Sequence, residues 1–278
     1  MRTIFIVALI SFCLFSVYLE IGPRPQLVKA QSQWAQNRYV IECFFRNKSN
    51  PKVILVGSSL SKRLDISSPD QCLYDLALSG GSVLTGLKTV VESQQRPHAV
   101  FVEINVPQRP LDLELISDAR NYLRRLSPIL YTENNPVNLL TSFLFQLGGG
   151  ATELAVQKKV FENALALNAR DSQILIPDTL LHKNILEITT YTKILKSRGV
   201  PVVFFEMPIH PSLENNQRPL QVRNSFQRSS FPSSLFLDWK TLASGAQIHT
   251  SDGIHLLRDE AKVVINNLRI YIEPYCKQ

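Results

Sequence analysis

The chain has 278 residues, of which 45% are hydrophobic and 19% charged, and a net charge of +7. That balance is globular and excludes a disordered or low-complexity protein. The positive charge is thinly spread. Basic pairs such as Lys158-Lys159 and Arg124-Arg125 stand alone and no arginine-rich arm is present, so no nucleic-acid partner is expected.

The N-terminus reads as a targeting element. Thr3 to Leu19 carries no charge and follows Arg2. At about 1.5 Å per residue it spans roughly 25 Å, short for a membrane helix. An uncleaved signal anchor is the favoured reading. The alternatives are a signal peptide cut after Val28-Lys29-Ala30 and a buried N-terminal helix of a cytosolic protein. With an anchor or a signal peptide, the domain that follows lies outside the cytoplasm, in the periplasm or beyond the cell. Beyond the apolar segment lie Cys43, Cys72 and Cys276. An oxidising compartment permits one disulfide among them and leaves one thiol. No CxxC or Cys/His cluster has metal-ligand spacing, so no structural zinc is expected.

Residues 20–50 form a polar connector with a short helix near Gln31 to Phe45, and Asn47-Lys48-Ser49-Asn50-Pro51 breaks it. The domain then occupies residues 51–278. Lys52 to Gly57 is the first strand and Cys72 to Leu78 the second. Val83 to Gln94 has helical spacing of Val83, Leu84, Leu87, Val90 and Val91. His98 to Asn105 is a third strand, Val200 to Met207 a fourth and Ser234 to Leu237 a short fifth. Residues 107–176 interrupt this rhythm and read as a helical insertion that caps the site. Asp178 to Arg198 is a crossover helix, and Arg258 to Tyr271 a final amphipathic one. Continuous apolar strands alternating with helices imply an α/β fold, a mostly parallel sheet covered on both faces in three αβα layers.

In such a sheet ligands bind beyond the C-terminal strand ends. Gly57-Ser58-Ser59, Ser79-Gly80-Gly81, Ile104-Asn105 and Met207-Pro208 all fall there and converge on one rim. Near the C-terminus, Asp252-Gly253-Ile254-His255 sets an acid and an imidazole three residues apart. Serine, histidine and aspartate are the groups that turn a hydroxyl into an acyl nucleophile. Each motif alone has an ordinary structural role: a strand-to-helix turn for Gly57-Ser58-Ser59, a helix cap for Asp252, a strand cap for Asn105.

Taken in order, these motifs resemble the blocks of the SGNH (GDSL-like) hydrolases over residues 52–270. Gly57-Ser58-Ser59-Leu60 is similar to the first block, with Ser58 in place of the usual aspartate. Ser79-Gly80 is similar to the second, Glu103-Ile104-Asn105 to the third and Asp252-Gly253-Ile254-His255 to the fifth. The usual Gly-x-Asn-Asp of the third block is absent. The resemblance implies a flavodoxin-like strand order 2-1-3-4-5 and the following roles. Ser59 is the nucleophile, with Ser58 its competitor. His255 is the base and Asp252 its orienting acid. The Ser59 and Gly80 amides and the Asn105 side chain are the oxyanion donors, and the resemblance implies that no metal or organic cofactor is required.

Arg109 is a candidate contact for an anionic group and His210 for substrate. Glu103, inside an apolar strand, needs a partner. His249 is expected to be structural, and His98 and His182 solvated. The expected chemistry is ester hydrolysis in the cell envelope, on an acylated small molecule, lipid or polysaccharide. Two alternatives accompany it: O-acyl transfer to an envelope polysaccharide at the same site, and a non-catalytic binding or assembly protein on the same fold. Membrane contact is expected through residues 3–19, and nothing in the sequence identifies a protein partner.

Overall fold

The computed structural model describes residues 2–22, 28–47, 49–64, 66, 72–121, 130–147, 158–229 and 236–277. The chain divides into two compact units. One comprises Met1–Arg46 with Ser117–Glu153, the other Asn47–Ile116 with Leu154–Gln278.

The second unit is built on a five-stranded, all-parallel sheet of order β2-β1-β3-β4-β5, with helices on both faces in three αβα layers. The strands are β1 (Val53–Gly57), β2 (Leu73–Ala77), β3 (Ala99–Glu103), β4 (Val202–Phe205) and β5 (Phe236–Leu237). Every residue of β1 and β3 is buried, which is why these strands read as unbroken apolar runs. Alternation assigns the faces. Val53, Leu55, Phe101, Val203 and Phe205 share a core cluster with Ala261, Val264 and Leu268 of the last helix, α10 (Arg258–Cys276). On the other face Phe204 meets Phe226 of α8 (Gln217–Arg228) at 5.8 Å between ring centroids. Helices α3 (Val83–Glu92) and α7 (Asp178–Ser197) pack on each other.

The expected strands all form, and the first four are one to four residues shorter in total than expected. Ser234 and Leu235 of the expected fifth strand lie outside the described residues. The expected last helix runs on to Cys276. Its end is tied to residues that precede three strands. Lys52 Nζ donates to the Cys276 carbonyl at 2.7 Å, His98 Nδ1 lies 2.9 Å from the Tyr275 carbonyl, and Cys72 forms a disulfide with Cys276. The expected single disulfide is therefore Cys72–Cys276, and Cys43 keeps its thiol. His98 is not the solvated histidine expected, because it caps this junction. Helix α8 and the short α9 (Trp239–Leu242) were not foreseen.

The insertion does not form one body. It contributes α4 (Leu113–Arg120), α5 (Pro136–Leu147) and α6 (Lys158–Ser172). Helix α5 belongs to the first unit and α6 to the second. Gly148-Gly149-Gly150 lies outside the described residues.

In the first unit, α1 (Arg2–Ile21) is 20 residues long and runs past the C-terminal end of the uncharged segment. At about 1.5 Å per residue this is roughly 30 Å, the thickness of a bilayer core. Among the described residues it is the one helix long and apolar enough to cross a membrane. Helix α2 (Gln33–Arg46) is held by ion pairs. Arg38 meets Asp118 at 2.9 Å, and Arg46 meets Glu133 at 2.6 Å while lying over the Tyr131 ring. Burial pushes the Cys43 thiol up to about 11, so it resists oxidation and alkylation.

Candidate active site

The two serines after β1 have opposite fates. Ser58 is 3% exposed, and its Oγ lies 2.8 Å from Glu103 Oε1 at the end of β3. Glu103, 1% exposed, also accepts from the Ser58 amide at 2.8 Å and from the Ser61 amide and hydroxyl at 3.2 and 2.7 Å. This is the partner its burial demanded. One carboxylate thus holds both sides of the turn, and the turn directs Ser59 outward. Gly57 is required at its entry, because a Cβ there would stand 2.8 Å from Glu103 Oε2. Buried and committed to Glu103, Ser58 is not a free nucleophile.

Ser59 Oγ lies 3.0 Å from His255 Nε2, and His255 Nδ1 lies 2.7 Å from Asp252 Oδ2. A carboxylate only accepts, so Nδ1 carries the proton toward Asp252. In the neutral ring Nε2 is then the acceptor for the Ser59 hydroxyl. Burial pushes the Asp252 carboxyl up. Donation from the His255 side chain, with the His255 and Ile254 amides, outweighs it and brings the value down to about 2. Asp252 is therefore a permanent anion at neutral pH.

The Asp-His loop is a tight return. Thr250 and Leu256 form an antiparallel bridge, and the Ser251 amide donates to the His255 carbonyl at 2.8 Å. Gly253 sits at its tip with φ 101°, where a Cβ would also stand 2.8 Å from Leu165 of α6. Asn168 Nδ2 of α6 donates to the Asp252 carbonyl at 2.8 Å, and the His210 amide to the Gly253 carbonyl at 2.9 Å. Asn168 carried no signal in the sequence: a lone asparagine on an exposed helix looks like any other.

Two strand-end loops face the same rim. The backbone N–H groups of Ser59 and Gly80 have no acceptor among the described residues. Asn105 is occupied by Met207: its Oδ1 accepts from the Met207 amide at 2.7 Å and its Nδ2 donates to the Met207 carbonyl at 2.8 Å. It ties the loop after β3 to the loop after β4, which is the strand-capping role. Its second Nδ2 hydrogen has no acceptor among the described residues.

A cleft of about 170 Å³ adjoins these groups, with Leu60, Ile104, Asn105, Arg109 and Ile254 among its walls. Arg109 donates to the Gly81 carbonyl at 3.1 Å and has no carboxylate within ion-pair distance among the described residues. Burial lowers its pKa, and attraction to Glu103 opposes that. Gln108 Oε1, on the same wall, is buried with no partner among the described residues.

The cleft also contains an ion pair that the sequence reading missed. Glu206, 5% exposed, takes both Nη2 and Nε of Arg223, at 2.6 and 3.1 Å. His210 is not a wall of this cleft. Its Nδ1 meets Ser212 Oγ at 2.8 Å and its ring lies against Phe161. His249 pairs with Glu260 at 2.6 Å, as a structural histidine would, and His182 is exposed. No group of three or more His, Cys, Asp or Glu poised to hold a metal occurs among the described residues.

Ser59, His255 and Asp252 thus stand in one hydrogen-bonded line, beside amide donors that have no acceptor among the described residues and a mostly apolar cleft. Compared with known proteins, the chain matches no protein-family model and no curated sequence.

Proposed function

We propose that this chain is a serine-dependent acyl-ester hydrolase, built as the SGNH resemblance implies, and that it works through an acyl-enzyme on Ser59. The observation that supports this most is the unbroken line from Asp252 Oδ2 through His255 to Ser59 Oγ, joining groups 196 residues apart. His255 Nε2 takes the hydroxyl proton as Ser59 Oγ bonds to the ester carbonyl carbon. The carbonyl oxygen becomes an oxyanion and is met by the Ser59 and Gly80 amides, with the spare Asn105 hydrogen as third donor. Collapse breaks the carbon–alkoxy bond, and the proton on His255 leaves with the alcohol. Water, deprotonated by the same nitrogen, then frees the acid and restores Ser59. Asp252 stabilises the imidazolium throughout and keeps its own charge.

The acyl or alcohol portion lies in the adjoining cleft. Arg109 there suits a carbonyl or an anionic substituent. Gln108 Oε1 suits a hydroxyl, since an unpaired buried acceptor gains most from a donor. That acceptor supports a second reading: a sugar hydroxyl in place of water, which would make the product a transferred ester. Helix α1 as a signal anchor would put this chemistry at the cell envelope, on lipid or polysaccharide esters.

The test is hydrolysis of short-chain aryl esters by the full chain in mild detergent. Wild type should turn over, and Ser59→Ala and His255→Ala should each lose about 1,000-fold or more while staying folded. Equal rates in all three proteins would overturn the serine mechanism. No turnover from folded wild type, even with a polyol acceptor, would favour a binding module.

A further inference from the structure

Helix α5 (Pro136–Leu147) is turned inside out. It contains no charged residue. Its buried residues are Asn138, Leu139 and Ser142, two of them polar. Pro136 and Gln146 are exposed, and so are its large apolar residues Val137 at 49%, Leu140 at 60%, Leu144 at 59% and Leu147 at 83%. At about 100° per residue these four fall within an arc of roughly 80°, opposite the buried three. A helix in water shows the reverse arrangement.

The polar side is occupied by the chain that leaves α1. The Lys29 amide donates to Ser142 Oγ at 2.8 Å, and Ser142 Oγ lies 3.2 Å from the Lys29 carbonyl. The Gln31 amide donates to Asn138 Oδ1 at 3.1 Å. Lys29 Nζ stands 4.7 Å above the Phe145 ring. From Ile21, the last residue of α1, to Lys29 is eight steps, at most about 29 Å of chain. The apolar stripe is thus tethered close to the end of a helix that is itself apolar and exposed, with Ile4 at 76% and Phe5 at 72%.

We infer that α5 is an in-plane membrane helix, docking Val137, Leu140, Leu144 and Leu147 into the lipid surface beside the anchor. Lys29, stacked on Phe145, sits at the headgroup level, where a cation with an apolar stem is favoured. The occupant is a bilayer and not a second copy of the chain, because the tether holds the stripe near the membrane whatever the chain's oligomeric state. The inference rests on reading α1 as a membrane anchor.

The test uses the full chain in phosphatidylcholine–phosphatidylglycerol vesicles. In a Cys13→Ser background, an environment-sensitive fluorophore is placed at Leu144→Cys, with Leu140→Cys as a second site. Lys196→Cys on α7, an exposed position, is the control. The half-buried Cys43 and the disulfide pair do not compete for label. The chain should float with the vesicles. The label at 144 should be about fivefold or more less quenched by aqueous iodide than at 196, and quenched by nitroxide-bearing acyl chains. If the chain floats and 144 is as open to iodide as 196, the docking of α5 is wrong and the anchor stands. Shielding from iodide without quenching by the lipid nitroxide means that protein covers the stripe, which also overturns it. A chain that does not float overturns the anchor and α5 together.

Discussion

Glu103 is the residue on which the geometry of Ser59 most depends. Donations from the amides and hydroxyls of Ser58 and Ser61 converge on it, so the turn is set by a group that never meets substrate. Ser58 stands where the SGNH resemblance leads one to expect an aspartate. Here the carboxylate comes from the neighbouring strand, and Ser58 donates to it. Glu103→Gln keeps the shape but offers one acceptor oxygen in place of two, leaving a buried amide or hydroxyl unpaired. A loss of about 1–3 kcal/mol in unfolding free energy is expected. Turnover should fall about 10-fold or more with little change in KM, because Ser59 is displaced and the cleft is not. Denaturant unfolding and ester kinetics on the same preparation check both. Unchanged kcat would show that the turn holds itself without the carboxylate.

At the scale of elements, the strands position the site and α10 closes the structure. The strands are parallel, so residues preceding β1, β2 and β3 lie at one end of the sheet and Ser59, Gly80 and Asn105 at the other. Lys52, Cys72 and His98 anchor the end of α10 at the first, far from the proposed chemistry. The Cys72–Cys276 bridge closes a separation of 204 residues. For so long a loop the entropy it removes from the unfolded chain has an upper value of about 5 kcal/mol. Reduction, or Cys276→Ser, should lower unfolding free energy by roughly 2–5 kcal/mol and leave activity at low temperature almost unchanged. Equal stability of the oxidised and reduced chains would contradict that role.

For the molecule as a whole, legibility followed the type of signal. Five continuous apolar runs and their small-residue ends disclose a parallel sheet, and the observed strand order is the expected one. Asp252 and His255 are readable because they are local to each other. Contacts that depend on non-local packing were hidden. Asn168 behind Asp252 and Arg223 on Glu206 look like ordinary helix polars in sequence. Glu103 did leave a trace, since it ends an apolar strand, where a lone carboxylate must find a partner. The insertion was legible as helices and not as parts of two units, because an uncharged helix such as α5 shows its inverted burial only once folded.

The proposed mechanism makes Ser59, and not Ser58, a nucleophile activated by His255. It is tested most directly by treating the folded full chain with an aryl fluorophosphonate and locating the adduct by peptide mass. One adduct on Ser59 is predicted in wild type, with none in Ser59→Ala and a rate lowered about 100-fold or more in His255→Ala. An adduct on Ser58, or a folded wild type that stays unmodified, would contradict it.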